Sequence, residues 1–146
     1  MRTLSALLFC LVLHGSCPAQ EGPRTFYLQL IRGTDQDQPQ QPSWKPVGEK
    51  LSRQFVPRFR WKTYWEIARS NVTVEPGHMA HVRLSADREV EIDLRKPAEP
   101  EVRLYTQGVL SRKCRDSLKT GMCIMGGTRD NDESWFVVIR RDPPAL

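Results

Sequence analysis

Long apolar runs are missing from this sequence after Leu13. A helix that crosses a bilayer needs about 20 consecutive apolar residues, and no later segment approaches that length, so the sequence predicts no membrane span. Runs of like charge are missing as well. The formal net charge is +5, yet the lysines and arginines are interspersed with acids, whereas nucleic-acid binding rests on clustered positive charge. We therefore expect a solvated surface of mixed charge and no nucleic-acid partner.

The residues and motifs of common catalytic sites are also scarce. The chain has three histidines and no GxSxG, so a serine nucleophile with its base is not indicated. It has no CxxC for redox chemistry, and Gly126-Gly127 lacks the GK[ST] of a phosphate-binding loop. We predict no enzymatic activity, no cofactor and no metal, and we interpret the glycine pair as a sharp turn or a close backbone approach.

Two groups of polar side chains leave a chemical alternative open. His78 and His81 are three residues apart, but on a strand such residues point to opposite faces, and further metal ligands are missing. Glu89, Glu91 and Asp93 share one face of a predicted strand, where carboxylates can act in acid–base catalysis or bind calcium. We favour a salt-bridged surface for these carboxylates, and a hydrolase that uses them is the alternative.

The first residues are typical of a signal peptide. A basic start is followed by an apolar stretch that ends at Leu13, and small residues precede a cleavage site after Ala19. Cleavage before Cys17 would create a lipid anchor, but His14 stands where a lipoprotein signal has leucine, which disfavours that anchor. We therefore expect a signal peptide at 1–19 and an exported protein, periplasmic or secreted, whose single β-rich domain spans 20–146.

The mature chain would keep two of the four cysteines, Cys114 and Cys123. In an exported protein an even pair predicts a disulfide. The bridge would close a short loop, for which the chain-entropy relation gives about 2.5 to 3 kcal/mol of stabilisation.

Alternation of apolar and polar residues predicts most of the fold. The segments 24–32 and 134–140 carry apolar residues on both faces, so both strands are expected inside a sheet. In the segment 59–68 every second residue from Phe59 to Ile67 is apolar or threonine, which predicts a strand with one buried face. A separate short strand is expected at 71–74.

A helix and a hairpin complete the expected architecture. Ser43 could cap a helix that starts at Trp44 and ends near Gln54, with Val47, Leu51 and Phe55 as its apolar stripe. The segments 79–84 and 89–94 read as a hairpin in which Leu84 opposes Val90, so that Arg83 would pair with Glu91 and His81 with Asp93. Together these elements predict a single-domain antiparallel β-sandwich or partly open barrel of about seven or eight strands with one short helix.

Aromatic residues and a sequon leave two surface features open. Trp44, Trp61 and Trp65 would face a ligand if they were exposed, as in a small carbohydrate- or lipid-binding module. Strand alternation places Trp61 and Trp65 in the core instead. Asn71-Val72-Thr73 is a glycosylation sequon, which matters only in a eukaryotic host.

A resemblance supports the same picture. The features that carry it are the first strand, a polar loop with prolines, Leu51 with Phe55, the spacing Phe59-x-x-x-x-Tyr64, the hairpin, and Gly126-Gly127 before an apolar last strand. In these features the chain resembles a group of small uncharacterised exported proteins of acidobacteria, verrucomicrobia and planctomycetes. The resemblance implies export and a β architecture, and it adds no site because the group has no established activity. We expect a non-enzymatic β-domain that binds another exported protein or has a structural role in the cell envelope, with the carbohydrate- or lipid-binding module as the alternative.

Overall fold

The computed structural model describes residues 22–115, 121–130 and 132–144, without the side chains of residues 129 and 130. The expected signal peptide and Cys17 lie outside the described residues. Within these ranges no helix is long and apolar enough to cross a membrane. The elements, in chain order, are β1 (Arg24–Thr34), β2 (Lys45–Pro46), α1 (Glu49–Phe55), β3 (Thr63–Val74), β4 (Met79–Arg83), β5 (Arg88–Asp93), β6 (Glu101–Thr106), β7 (Val109–Cys114), β8 (Met122–Asp130) and β9 (Glu133–Arg140).

The strands form two antiparallel sheets. The larger, sheet A, has the order β2-β3-β1-β9-β8, and the smaller, sheet B, has the order β4-β5-β6-β7. The expected interior positions of the first and last strands are confirmed, because β1 lies between β3 and β9, and β9 lies between β1 and β8. The predicted fold class is confirmed as a β-sandwich whose two sheets stay unclosed.

The inner core lies between the two sheets, because alternate residues of strands from both sheets point into the same space. Phe26, Leu28 and Leu30 of β1 meet side chains such as Val90 and Ile92 of β5. Each of these five side chains is at most 2% exposed. This layer joins sheet A to sheet B.

A second, outer core covers the opposite face of sheet A. Leu51 and Phe55 from α1 are fully buried there, and Phe136 and Val138 of β9 pack beneath them. The Phe55 ring meets the Phe136 ring at a centroid distance of 5.1 Å. Sheet A is therefore buried on both faces, which explains why β1 and β9 are apolar on both sides.

The segment rich in tryptophan differs from its prediction. The strand begins at Thr63, not at Phe59, and it continues without a break through the segment 71–74 that was expected to be separate. Tyr64, expected on the polar face, is buried in the outer core beside Trp61. A register shift opposite Leu30 leaves Ile67 as an extra residue on β3, and such a bulge breaks the two-residue rhythm on which the prediction depended.

The helix starts later than predicted. Lys45 and Pro46 pair with β3 as the short strand β2, and the Val47 N–H donates to the Tyr64 carbonyl at 3.1 Å. These bonds hold the chain extended up to Gly48, which is the N-cap residue. The predicted apolar stripe is confirmed for Leu51 and Phe55, which are buried in the outer core, but Val47 precedes the helix and only packs against that core.

The hairpin of β4 and β5 has the predicted faces but a different register. Val82 opposes Val90, and the Leu84 N–H donates to the Arg88 carbonyl at 3.0 Å. That bond closes a loop of three residues where a longer loop was predicted, and the Ser85 hydroxyl donates to Asp87 within it at 2.7 Å. The partners therefore move by two residues along the strand, while the buried face stays the same.

Candidate interaction site

The three candidate tryptophans do not form an open platform. Trp44, Trp61 and Trp65 are 7%, 5% and 8% exposed. The Arg32 guanidinium lies over the Trp44 ring at 4.7 Å from its centroid, and Trp61 packs in the outer core. A carbohydrate- or lipid-binding module that uses these rings would need them exposed to solvent, and all three are buried.

The carboxylates of β5 form a salt-bridged face on sheet B. Arg103 of β6 donates to Glu91 and to Glu101, and it approaches Asp93 to 3.5 Å. Arg95 adds a second cation, with its Nη2 at 2.6 Å from Asp93 Oδ2. Glu91, Asp93 and Glu101 are each less than 10% exposed, so this network compensates three buried charges.

These charges also determine the chemistry of the carboxylates. Hydrogen bonds from Arg95 hold the pKa of Asp93 at about 2, below its usual value, despite the opposing effect of burial. Hydrogen bonds from Arg115 and Arg103 likewise lower the pKa of Glu101. A general acid needs a carboxyl whose pKa is raised, so neither group is prepared for that role.

The two histidines of the spaced pair are in different surroundings. His78 lies beside a turn, with its Nδ1 at 3.3 Å from the Pro76 carbonyl. His81 lies between two carboxylates, with Nδ1 at 3.1 Å from Glu89 and Nε2 at 3.4 Å from Glu91. Across the described ranges, no group of three or more histidine, cysteine, aspartate or glutamate side chains could hold a metal ion.

A polar cleft of about 340 Å³ lies at the turn end of sheet B. Its polar groups bond to one another: Arg88 pairs with Asp87 at 2.8 Å, and Arg83 approaches Glu89 to 3.7 Å. The Arg88 guanidinium also lies over the Trp135 ring, 4.4 Å from its centroid. The cleft therefore presents internal ion pairs rather than a convergent set of ligand-binding groups.

The two cysteines lie across the seam between the sheets. Cys114 belongs to β7 and Cys123 to β8, and both are present as thiols. Burial is the main cause that raises the pKa of the Cys123 thiol, and a hydrogen bond with Cys114 adds to it. The disulfide stays a prediction, for which the two side chains are already neighbours.

The two sheets of the described residues have four edge strands, which differ in their protection against pairing with another chain. Charges, short length and proline are the usual protective features of an edge. The edge strand β2 has two residues, one of which is Pro46, β4 carries His81 and Arg83, and β7 carries Arg112 and Lys113. In β8, by contrast, the segment 122–128 has neither a charged residue nor a proline.

The unprotected side of β8 offers a regular row of backbone groups. Met122 lies opposite Arg140, and the Arg141 N–H donates to the Gly121 carbonyl at 3.0 Å. In an antiparallel ladder the bonded positions alternate, so residues 123, 125 and 127 bond to β9. Residues 122, 124, 126 and 128 direct their N–H and C=O groups away from it, where the described part of the chain supplies no further strand.

The glycine pair lies inside β8, and the expectation of a sharp turn there is wrong. The other expectation, close approach, is confirmed. A Cβ on Gly126 would lie 2.8 Å from Phe136 Cδ1, and one on Gly127 would lie 2.6 Å from Trp135 Cζ2. Aromatic rings of β9 thus lie over both glycines.

Sequence reasoning missed β8 as a site because a glycine pair usually ends a strand. Two signals were available: the uncharged segment 122–128 and the adjacent aromatic pair Trp135-Phe136 on the next strand.

Comparison of the chain with protein-family models, with curated proteins and with solved structures gives no match.

Proposed function

We propose that this protein is an exported, non-enzymatic β-domain of the cell envelope that binds protein by accepting an added strand at β8. The observation that carries the proposal is the uncharged edge of β8 from residue 122 to 128, beside which the described residues place no further strand. Strand addition uses main-chain hydrogen bonds for affinity and alternate side chains for specificity. Export is supported by the signal-peptide pattern and by the resemblance to small exported proteins.

The rest of the surface supports binding at this edge rather than at sheet B. On sheet B the carboxylates and arginines already neutralise one another, as with Arg103 among Glu91, Asp93 and Glu101. A partner would have to replace these bonds. At β8 it would supply bonds that the strands of the described residues leave unmade, because an extended strand matches the spacing of the outward N–H and C=O groups.

Site-specific photo-crosslinking tests this proposal. A photoreactive benzoyl-phenylalanine replaces Thr128, which is exposed on β8, and the mature protein is irradiated in extract of exported proteins from its source. We expect a discrete adduct. The matched control places the same group at Arg83, an exposed position of the protected edge β4, where we expect none.

Two variants separate strand addition from side-chain contact. Ile124→Pro removes an outward N–H of β8, whereas Ile124→Ala removes the same side chain and keeps the N–H. We expect the proline variant to abolish the adduct at position 128 and the alanine variant to retain it. Equal adducts at positions 128 and 83, or no adduct at 128, would overturn the proposal.

A further inference from the structure

The residues of β8 are arranged by size along the strand. On the outer face of sheet A two large residues, Met122 and Ile124, are followed by two small ones, Gly126 and Thr128. In an antiparallel copy of the same strand this order is reversed, so the two small residues lie at the positions of the two large ones. Large residues of one copy would therefore lie beside small residues of the other.

We propose that the added strand is β8 of a second copy of this chain, paired about a two-fold axis at Met125. This inference rests on the proposed function, because it names the partner at the same edge. The pairing joins two five-stranded sheets into one continuous sheet. Such an isologous contact closes on itself and gives a dimer.

The outward backbone groups support this register. With the axis at Met125, Ile124 pairs with Gly126 of the second copy, and Met122 pairs with Thr128. All four are positions whose backbone groups point away from β9, so each pair exchanges two hydrogen bonds. The two-fold axis repeats both pairs, so the interface has four such pairs and gains about eight hydrogen bonds. A register displaced by two residues in either direction would leave some of these groups unpaired.

The aromatic rings of β9 complete the contact. Phe136 lies opposite Gly126, and its ring fills the space where a Cβ would be. In the two-fold pairing, Ile124 of the second copy lies on the same face, directly beyond the glycine. Its side chain therefore meets the ring, and the outer cores of the two copies become continuous.

Charge selects this edge over the other long edges. Two-fold pairing brings each strand against its own charges, and β7 would bring Arg112 and Lys113 of each copy together. Like charges at close range oppose pairing. The segment 122–128 is uncharged, so self-pairing of β8 meets no such repulsion.

Analytical ultracentrifugation of the mature protein tests the dimer. We expect a reversible monomer–dimer equilibrium, because the interface consists of one strand from each copy. Ile124→Pro removes hydrogen bonds on both sides of the axis, so we expect it to weaken association at least tenfold relative to Ile124→Ala. Circular dichroism checks that both variants keep the fold. A wild-type protein that sediments as a monomer at every concentration would overturn the inference.

Cysteine pairing tests the register. A mixture of Thr128→Cys protein with Met122→Cys protein should form a disulfide between these positions, because opposed Cα atoms in a bonded pair lie about 5.5 Å apart. Thr128→Cys protein alone should not, because its two copies lie six positions apart, about 20 Å. Mass spectrometry of the linked peptides separates these bonds from those of the native cysteines. Linkage between two copies at position 128 would refute the two-fold axis at Met125.

The mass of the photo-crosslinked adduct separates the two proposals. An adduct at position 128 with twice the mass of the chain supports self-pairing. An adduct of another mass, with a monomeric protein in the centrifuge, leaves strand addition standing and overturns the second copy as the partner. The absence of any adduct overturns both.

Discussion

Oxidation of Cys114 and Cys123 to a disulfide is expected to stabilise the mature protein by about 2.5 to 3 kcal/mol. The closed loop has about ten residues, and the chain-entropy relation gives this value as the lost freedom of the unfolded chain. The structure favours the bond because the two thiols are neighbours on facing edges of the two sheets. The bond would replace a hydrogen-bonded contact and would fasten the seam between β7 and β8.

The environment of the two thiols predicts when the bond forms. Burial raises the pKa of the Cys123 thiol, which is 2% exposed, so it supplies little thiolate in the folded protein. Cys114 is half-buried and more accessible. Because the thiolate is the reactive form, we expect oxidation to be faster during refolding in a glutathione buffer than after folding in the reduced state.

Urea unfolding with and without reductant measures the stabilisation. With a slope of about 1.5 kcal/mol/M for a chain of this size, the oxidised midpoint should lie about 1.5 to 2 M above the reduced one. The variant Cys114→Ala should show no dependence on reductant. Coincident midpoints for the two forms would refute the reasoning. It would also be refuted if protein purified from an exporting host and then unfolded reacted with an alkylating reagent at both thiols.

Two further predictions concern the charged face of sheet B. Arg103→Met should lower the free energy of unfolding by about 3 to 5 kcal/mol, because three buried carboxylates lose a shared cation. Arg95→Met, whose side chain is 56% exposed and bonds to Asp93, should lower it less in the same urea titration, and equal losses would contradict the network. Because the pKa of Asp93 is held at about 2, below 3.8, its stabilising contribution is complete above about pH 4 and is lost as the pH falls towards 2. The urea midpoints of wild type and Asp93→Asn should therefore converge between pH 4 and pH 2, and a constant difference would show that Asp93 does not cause this acid dependence.

The sequence was sufficient wherever one pattern determined the structure. Apolar residues on both faces of β1 predicted a central strand, and β1 has a neighbour on each side. The faces of β4 and β5 followed from alternation in the same way. These predictions succeed because a strand has only two faces, and burial determines which residues occupy each.

The sequence was insufficient where two alternatives bury the same residues. For the hairpin, shifting the partners by two residues keeps Val82 and Val90 in the core, so the apolar pattern cannot choose between registers. The choice falls to the loop, where Ser85 and Asp87 make the shorter turn favourable. In β3 a bulge at Ile67 and burial on both faces removed the contrast between polar and apolar sides.

The same ambiguity concealed the candidate site, and its resolution supports the proposed function. Gly126 and Gly127 read as a turn until the rings of Phe136 and Trp135 are seen to lie over them. Once β8 continues through the glycines, the outward N–H and C=O groups of the segment 122–128 have no partner strand among the described residues, and that segment has no charge or proline to discourage pairing. An exposed edge of this kind can pair with strands of many other chains, which leads to aggregation unless a specific strand covers it. Because charge or proline protects the other three edges of the same fold, the unprotected edge is best explained as one that is covered when the protein is assembled.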